Sequence, residues 1–352
     1  MINISSLTRE NIKNMLPYSS ARDEFSGTAA VFLDANENSL GSPLGYHYVR
    51  YPDPHQVALK LAIAVDKGLQ TENIFLGNGS DECIDILYRC FCNPGKDNVI
   101  ICPPTYGMYE VNAHLNDIEI RRATLTDHFQ LDINLISELI NDNTKLIWIC
   151  SPNNPTGNSP DAEDIKQLAE NFNGLVVIDE AYIDFATQDS LVNELIHYPN
   201  LVILQTFSKA WGLAALRLGM AFASKEIIMV LNKVKPPYNI SGPTQELALQ
   251  AMNRKSVFET NVAVLKKLRT ALRQSLEKLP VIEKLYPSDA NFILVRVIDA
   301  AAVYTYLMGK GIVVRNRSNI LLCDSCLRIT VGNENENQRL IAALINYSNQ
   351  AV

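Results

Sequence analysis

The 352-residue chain has no surplus of positive charge: 31 Lys and Arg stand against 38 Asp and Glu, a formal net charge of −7. Neutralising a phosphate backbone takes clustered cations, so nucleic acid is not an expected partner. No apolar run reaches membrane-spanning length, and no membrane partner is expected. The opening MINISSLTRENIKN lacks an apolar h-region, so the expected location is cytoplasmic. Cysteine is too sparse for a disulfide framework, with seven thiols, an odd number, in a long chain. Cys323 and Cys326 have the spacing of half a zinc site, but no second pair or His cluster follows them. A structural zinc takes four ligands, so no metal is expected and the thiols are read as small buried hydrophobes. Internal repeats, low-complexity tracts and charged tails are also missing.

What remains is an ordinary globular composition, 47% apolar and 20% charged, enough for one or two packed domains. From about residue 70 to 225, short β-rich runs alternate with amphipathic stretches. The runs are 73–76, 98–102, 119–125, 145–150, 175–178 and 201–206, with 216–223 as one further strand. They are continuous Val/Ile/Leu stretches, the pattern of strands buried on both faces of a parallel sheet. Strand–helix alternation then predicts an α/β fold with a mostly parallel seven-stranded sheet. After Gly242-Pro243 a long helical pattern covers 245–278. Strand-like 291–297, 312–315 and 326–331 and helices near 300–310 and 334–348 follow. The expected division is a large α/β domain at 31–242 and a smaller α+β domain made of 243–352 and the arm 1–30.

Ligands of such sheets bind beyond the carboxyl ends of the strands, so the residues there carry the functional reading. Lys209, in TFSKAWGLAALRLG, follows an apolar strand. A lysine kept partly from water is a nucleophile toward an aldehyde, though most such lysines are solvated surface residues. Arg217 lies in an apolar run without acidic residues between Lys209 and Lys225. It needs an anion from elsewhere, either a distant carboxylate or a bound phosphate. Gly77-Asn78-Gly79-Ser80-Asp81-Glu82 turns from a strand into a helix, which presents free N–H groups and the positive dipole end. It matches neither Walker A nor G-x-G-x-x-G, so an ordinary capped turn is the alternative. Asp179 ends the strand LVVID, and a strand-end carboxylate needs a cation such as a protonated pyridine. Asn154, in a Pro-rich turn, and Tyr182 are donors suited to a phenolate-like oxygen, and Tyr106 is a ring able to stack on a heterocycle. Taken together, these groups match pyridoxal 5′-phosphate group by group.

PYSSARDEF, LDANEN, RYPDP, CPPTYGMY, SPNNPTG, DEAYIDF, SKAWGLAALRLG and LRITVG occur in that order. With these motifs the chain resembles the fold-type I aminotransferases over nearly its whole length. PYSSARDE and LDANEN point to the histidinol-phosphate branch. The resemblance implies an enzyme exchanging an amino group between L-glutamate/2-oxoglutarate and histidinol phosphate/imidazole-acetol phosphate in two half-reactions. It gives Lys209 the aldehyde of the cofactor and the proton transfer, Asp179 the pyridine nitrogen, Asn154 and Tyr182 the ring oxygen, and Tyr106 the ring face. Ser80, Asp81, Glu82, Ser208 and Arg217 are implied for the phosphate. Tyr51 is implied to reach the phosphate of a second subunit, which makes a homodimer. Arg328 is implied for the substrate carboxylate, and Arg315, Tyr18, Asn36 and Arg22 for the substrate pocket. Two positions depart from the family pattern, Ala215 where Gly is usual and Ser39 where Pro is usual. The competing activities are an aromatic or broad-specificity aminotransferase, a threonine-phosphate decarboxylase, and a regulator that binds the aldehyde without turnover. The last normally carries a DNA-binding segment, for which motifs starting at residue 17 leave no room.

Overall fold

The apolar runs between residues 74 and 223 become seven strands: β1 (Ile74–Asn78), β2 (Asn98–Ile101), β3 (Glu119–Arg122), β4 (Thr144–Cys150), β5 (Leu175–Asp179), β6 (Leu201–Thr206) and β7 (Leu218–Ala223). In this computed structural model, which describes residues 3–25, 27 and 29–350, they form one sheet in the order β1-β7-β6-β5-β4-β2-β3. Pairings from β6 to β3 are parallel, and β7 runs antiparallel to both β1 and β6. The expected mostly parallel seven-stranded sheet is what the chain builds. The inner strands are mostly apolar because both faces are covered, whereas edge strand β3 is charged and largely exposed. Along β4, Leu146, Trp148 and Cys150 enter one core while Ile147 and Ile149 enter the other. Alternate strand residues point to opposite faces, so each face needs its own apolar set.

The smaller sheet is antiparallel, ordered β10-β11-β9-β8 from β8 (Ile282–Leu285), β9 (Phe292–Val297), β10 (Arg315–Asn316) and β11 (Cys326–Thr330). It packs with helices Ala300–Gly309 and Glu334–Gln350 around Val295, Val303, Leu327 and Leu344. The predicted single helix over 245–278 is two, Gly242–Met252 and Lys255–Leu276, because the chain turns at Asn253 and Arg254. β8 was not read from the sequence, since only half of its residues are even partly buried.

The N-terminal arm is also placed differently. Helices Ile4–Leu7 and Glu10–Asn14 pack on the large unit rather than the small one. Ile4 joins the core beside helix Gly79–Phe91, and the Arg9 N–H donates to the Cys90 carbonyl. Lys233 Nζ donates to the carbonyls of Ile12 and Lys13. Two buried isoleucines, Ile4 and Ile12, and a few backbone bonds decide the docking, and amphipathicity of so short a segment does not encode the partner. All seven cysteines are buried and unpaired, as small core side chains would be. Among the described residues, no helix is long and apolar enough to cross a membrane.

Candidate active site

The carboxyl ends of β1, β2, β4, β5 and β6 open on one edge of the large sheet. Antiparallel β7 begins at that same edge, which is how Arg217, the residue just before it, arrives beside Ser80 and Asp81. The resulting cavity, about 640 Å³, is closed on its far side by Arg315, Arg317 and Arg328 of the small unit. That volume suits a cofactor with a small substrate. A larger groove, about 990 Å³, lies between the N-terminal helices and helix Lys225–Val234, away from these groups and mostly apolar.

Asp179 ends β5 and is buried. Its Oδ2 accepts from Tyr109 Oη at 2.8 Å and its Oδ1 from the Ala181 N–H at 3.1 Å. Burial pushes its pKa up to about 6, against the pull of those two donors. No ion pair offsets it among the described residues. Lys209 faces the same cavity, its Nζ 5.4 Å from the centre of the Tyr182 ring. Desolvation first, then the Arg328 guanidinium, lower the pKa of its amine. A lysine tuned this way supplies the neutral amine that attacks a carbonyl.

Tyr182 and Asn154 are both buried and adjacent, with Asn154 Nδ2 donating to Tyr182 Oη at 3.5 Å. Asn154 Oδ1 accepts from Arg328, whose guanidinium also lies 5.1 Å over the Phe292 ring. One residue therefore joins the two ends of the cavity. Tyr106 donates to Asp81 Oδ1 at 3.0 Å, and Arg217 pairs with Asp81 Oδ2 at 3.4 Å. The Asp81 carboxylate thus orients a ring and a guanidinium. Arg217 itself adopts a left-handed conformation with φ 49°. A Cβ on Gly79 would sit 2.6 Å from its Nη2, and one on Gly219 would sit 2.2 Å from the Ser80 nitrogen. Neither position tolerates a side chain without moving the Ser80–Arg217 cradle. The hydroxyls of Ser80 and Ser208 face the cavity with no hydrogen bond to another described residue.

Not every sequence-derived residue is brought here. Glu82 turns back and accepts from the Asn78 N–H at 2.6 Å and from Asn239 Nδ2 at 3.0 Å, so its carboxylate serves the turn and not the cavity. Tyr18, Asn36 and Tyr51 are exposed and line no part of their own chain's cavity. Arg22 is committed to Asp34 at 2.7 Å and Glu37 at 3.4 Å. Glu37 also pairs with Arg50 and accepts from the Tyr51 N–H, tying PYSSARDE, LDANEN and RYPDP into one cluster. Two residues were missed. Tyr109 sits three positions after Tyr106, fully buried and stacked on Trp148 at 5.0 Å. Arg317 sits two positions after Arg315, just past the end of β10, and lines the same cavity.

These groups fit pyridoxal 5′-phosphate on the structure's own terms. There is a buried carboxylate lacking an ion pair, an amine with lowered pKa, and a cradle of Arg217 and serine hydroxyls without internal partners.

Comparison with known proteins points the same way. A family profile described as aminotransferase class I and II matches residues 37–344. The histidinol-phosphate aminotransferase of Cytophaga hutchinsonii is 55% identical over 344 residues, 98% of this chain and 99% of that one. The enzyme of the same name from Parabacteroides distasonis is 52% identical over 346 residues, again 98% and 99% of the two chains. Among solved structures, the histidinol-phosphate aminotransferase of Clostridium acetobutylicum superposes with a TM-score of 0.79 at 27% identity, covering 86% of this chain and 91% of that one.

Proposed function

The chain belongs to the class I and II aminotransferases, and from that premise we propose that it exchanges an amino group between L-glutamate and imidazole-acetol phosphate. The products are 2-oxoglutarate and histidinol phosphate, and the step serves histidine biosynthesis. When bound, pyridoxal 5′-phosphate supplies the aldehyde that exchanges for an amine and a ring that accepts charge released at the substrate Cα. Lys209 holds that aldehyde and moves the proton at Cα. Asp179 keeps a proton on the pyridine nitrogen, Asn154 and Tyr182 hold the ring oxygen, and Tyr106 covers the ring. Ser80, Ser208, Arg217 and the backbone N–H of Asp81 hold the phosphate, with the Asp81 carboxylate orienting Arg217. Arg328 takes the substrate carboxylate, and Arg315 lines the substrate end. Residues 31–242 are the cofactor-binding unit in this reading.

The observation that carries the proposal is the pairing of Asp179, a buried carboxylate with no cation of its own, with Lys209 across one cavity. Burying an uncompensated carboxylate is costly, and a pyridinium removes the cost.

The working unit is a homodimer in the cytoplasm. Tyr51 stacks on Tyr238 at 4.5 Å, half exposed. Leu33, Leu40, Leu44, Tyr46 and Val65 nearby in sequence are all more than 75% exposed. A second copy covering this stretch would bring Tyr51 to the neighbouring cavity.

Mixing the holoenzyme with single amines tests the reading. L-glutamate and histidinol phosphate should each convert the cofactor's absorbance to that of its amine form. Conversion by glutamate and phenylalanine but not histidinol phosphate would reassign the substrate, and carbon dioxide release from threonine phosphate would reassign the reaction.

A further inference from the structure

Three guanidinium groups meet at the small-unit side of the cavity, and one of them has no role in the reading above. Arg315 lies opposite Arg328 in the β10–β11 register. Arg317 follows two residues later, and all three line the cavity. Arg317 is half-buried, its side chain makes no hydrogen bond to another described residue, and its Nε is buried without a partner. The charged groups that bear on it are the cations Arg315 and Arg328; burial keeps the nearby Cys323 thiol and Tyr182 phenol protonated, and no carboxylate acts on it. Burial and the adjacent Arg315 both work against its charge.

Cations gathered this way destabilise one another unless an anion joins them. The groups around the cavity divide the anions. Arg217 with Ser80 lies at the sheet edge, the seat proposed for the cofactor's phosphate. Arg328, fixed by Asn154 and Phe292, presents one fork, enough for a monocarboxylate. Arg315 and Arg317 are left over. Two guanidinium groups lining one end of the cavity suit a doubly charged group with three oxygens better than a planar aromatic side chain.

We infer that Arg317, acting with Arg315, seats the phosphate monoester of the substrate and sets the preference for a phosphorylated amine over an aromatic one. The inference rests on the proposed function and deepens it, by naming what separates this substrate class from its nearest rival.

The holoenzyme variants Arg317→Met and Arg317→Lys test it. Steady-state kinetics with histidinol phosphate and with L-glutamate are measured, together with inhibition by inorganic phosphate. Losing one charge-assisted contact to a dianion should raise KM for histidinol phosphate, and Ki for inorganic phosphate, by about 10- to 100-fold in Arg317→Met. kcat and the glutamate KM should change by a smaller factor. Arg317→Lys should recover part of both losses, since it keeps the charge and drops the fork. Unchanged KM and phosphate inhibition would overturn the inference, as would an equal loss toward both substrates without rescue by lysine. If the wild-type enzyme transaminates glutamate but not histidinol phosphate, the proposed function fails, and phosphate inhibition alone then decides the role of Arg317.

Discussion

Replacing Asp179 by asparagine should make the cofactor-free protein more stable near neutral pH while removing what the cofactor needs. Burial raises the Asp179 carboxyl from its ordinary 3.8 to about 6. A carboxyl whose folded pKa exceeds its unfolded one binds its proton more tightly in the folded state. Its contribution is therefore intact below about pH 4 and is lost as the pH rises through 6. The full displacement corresponds to about 3 kcal/mol. Asparagine is isosteric and uncharged. Its oxygen can accept from the Ala181 N–H and its amide can donate to Tyr109 Oη, so the local hydrogen bonds survive. With roughly 2.1 cal/mol/K of melting entropy per residue, relief of that cost raises Tm by about 4 °C in a chain of this length. Thermal melts of the cofactor-free wild type and Asp179→Asn at pH 4 and pH 8 check this. The variant should melt higher at pH 8 and level with the wild type at pH 4. Added pyridoxal 5′-phosphate should stabilise the wild type more than the variant, because stabilisation by a ligand grows with the logarithm of its affinity. A gain equal at both pH values, or a loss at pH 8, would refute the assignment of the strain to the ionised carboxylate. Tyr109→Phe is the opposite perturbation. It removes the 2.8 Å donor, pushes Asp179 up further, and should lower stability at pH 8 more than at pH 4.

Lys209→Ala should abolish amino transfer while leaving the fold, measured by circular dichroism, intact. Borohydride reduction of the wild-type holoenzyme should place the cofactor on the peptide containing Lys209 and nowhere else. The native mass should be twice 39.2 kDa, and Tyr51→Phe should weaken cofactor retention while leaving that mass unchanged. A monomer with full activity would remove Tyr51 from the site.

The cofactor end was legible because its chemistry sits in local motifs placed just after recognisable strands. Lys209, Asp179, Asn154 and Arg217 each follow or precede an apolar run, and a parallel sheet converts that position into a shared edge. The place of the Glu82 carboxylate was not legible, because a first-turn carboxylate can serve either a ligand or its own turn, and only the contacts with Asn78 and Asn239 distinguish them. The ion pairs of Arg22 were not legible for a similar reason, since its partners Asp34 and Glu37 come from another motif.

The strand runs, the turn chemistry and the polar residues between them are properties of short stretches of chain, and they determined the fold class and the cofactor chemistry. The docking of the N-terminal arm, the Tyr109–Asp179 bond and the unpartnered Arg317 depend on residues brought together from distant parts of the chain. Whether a buried charge has a partner is a property of three-dimensional neighbours, so only the tertiary structure decided which groups remained free to bind.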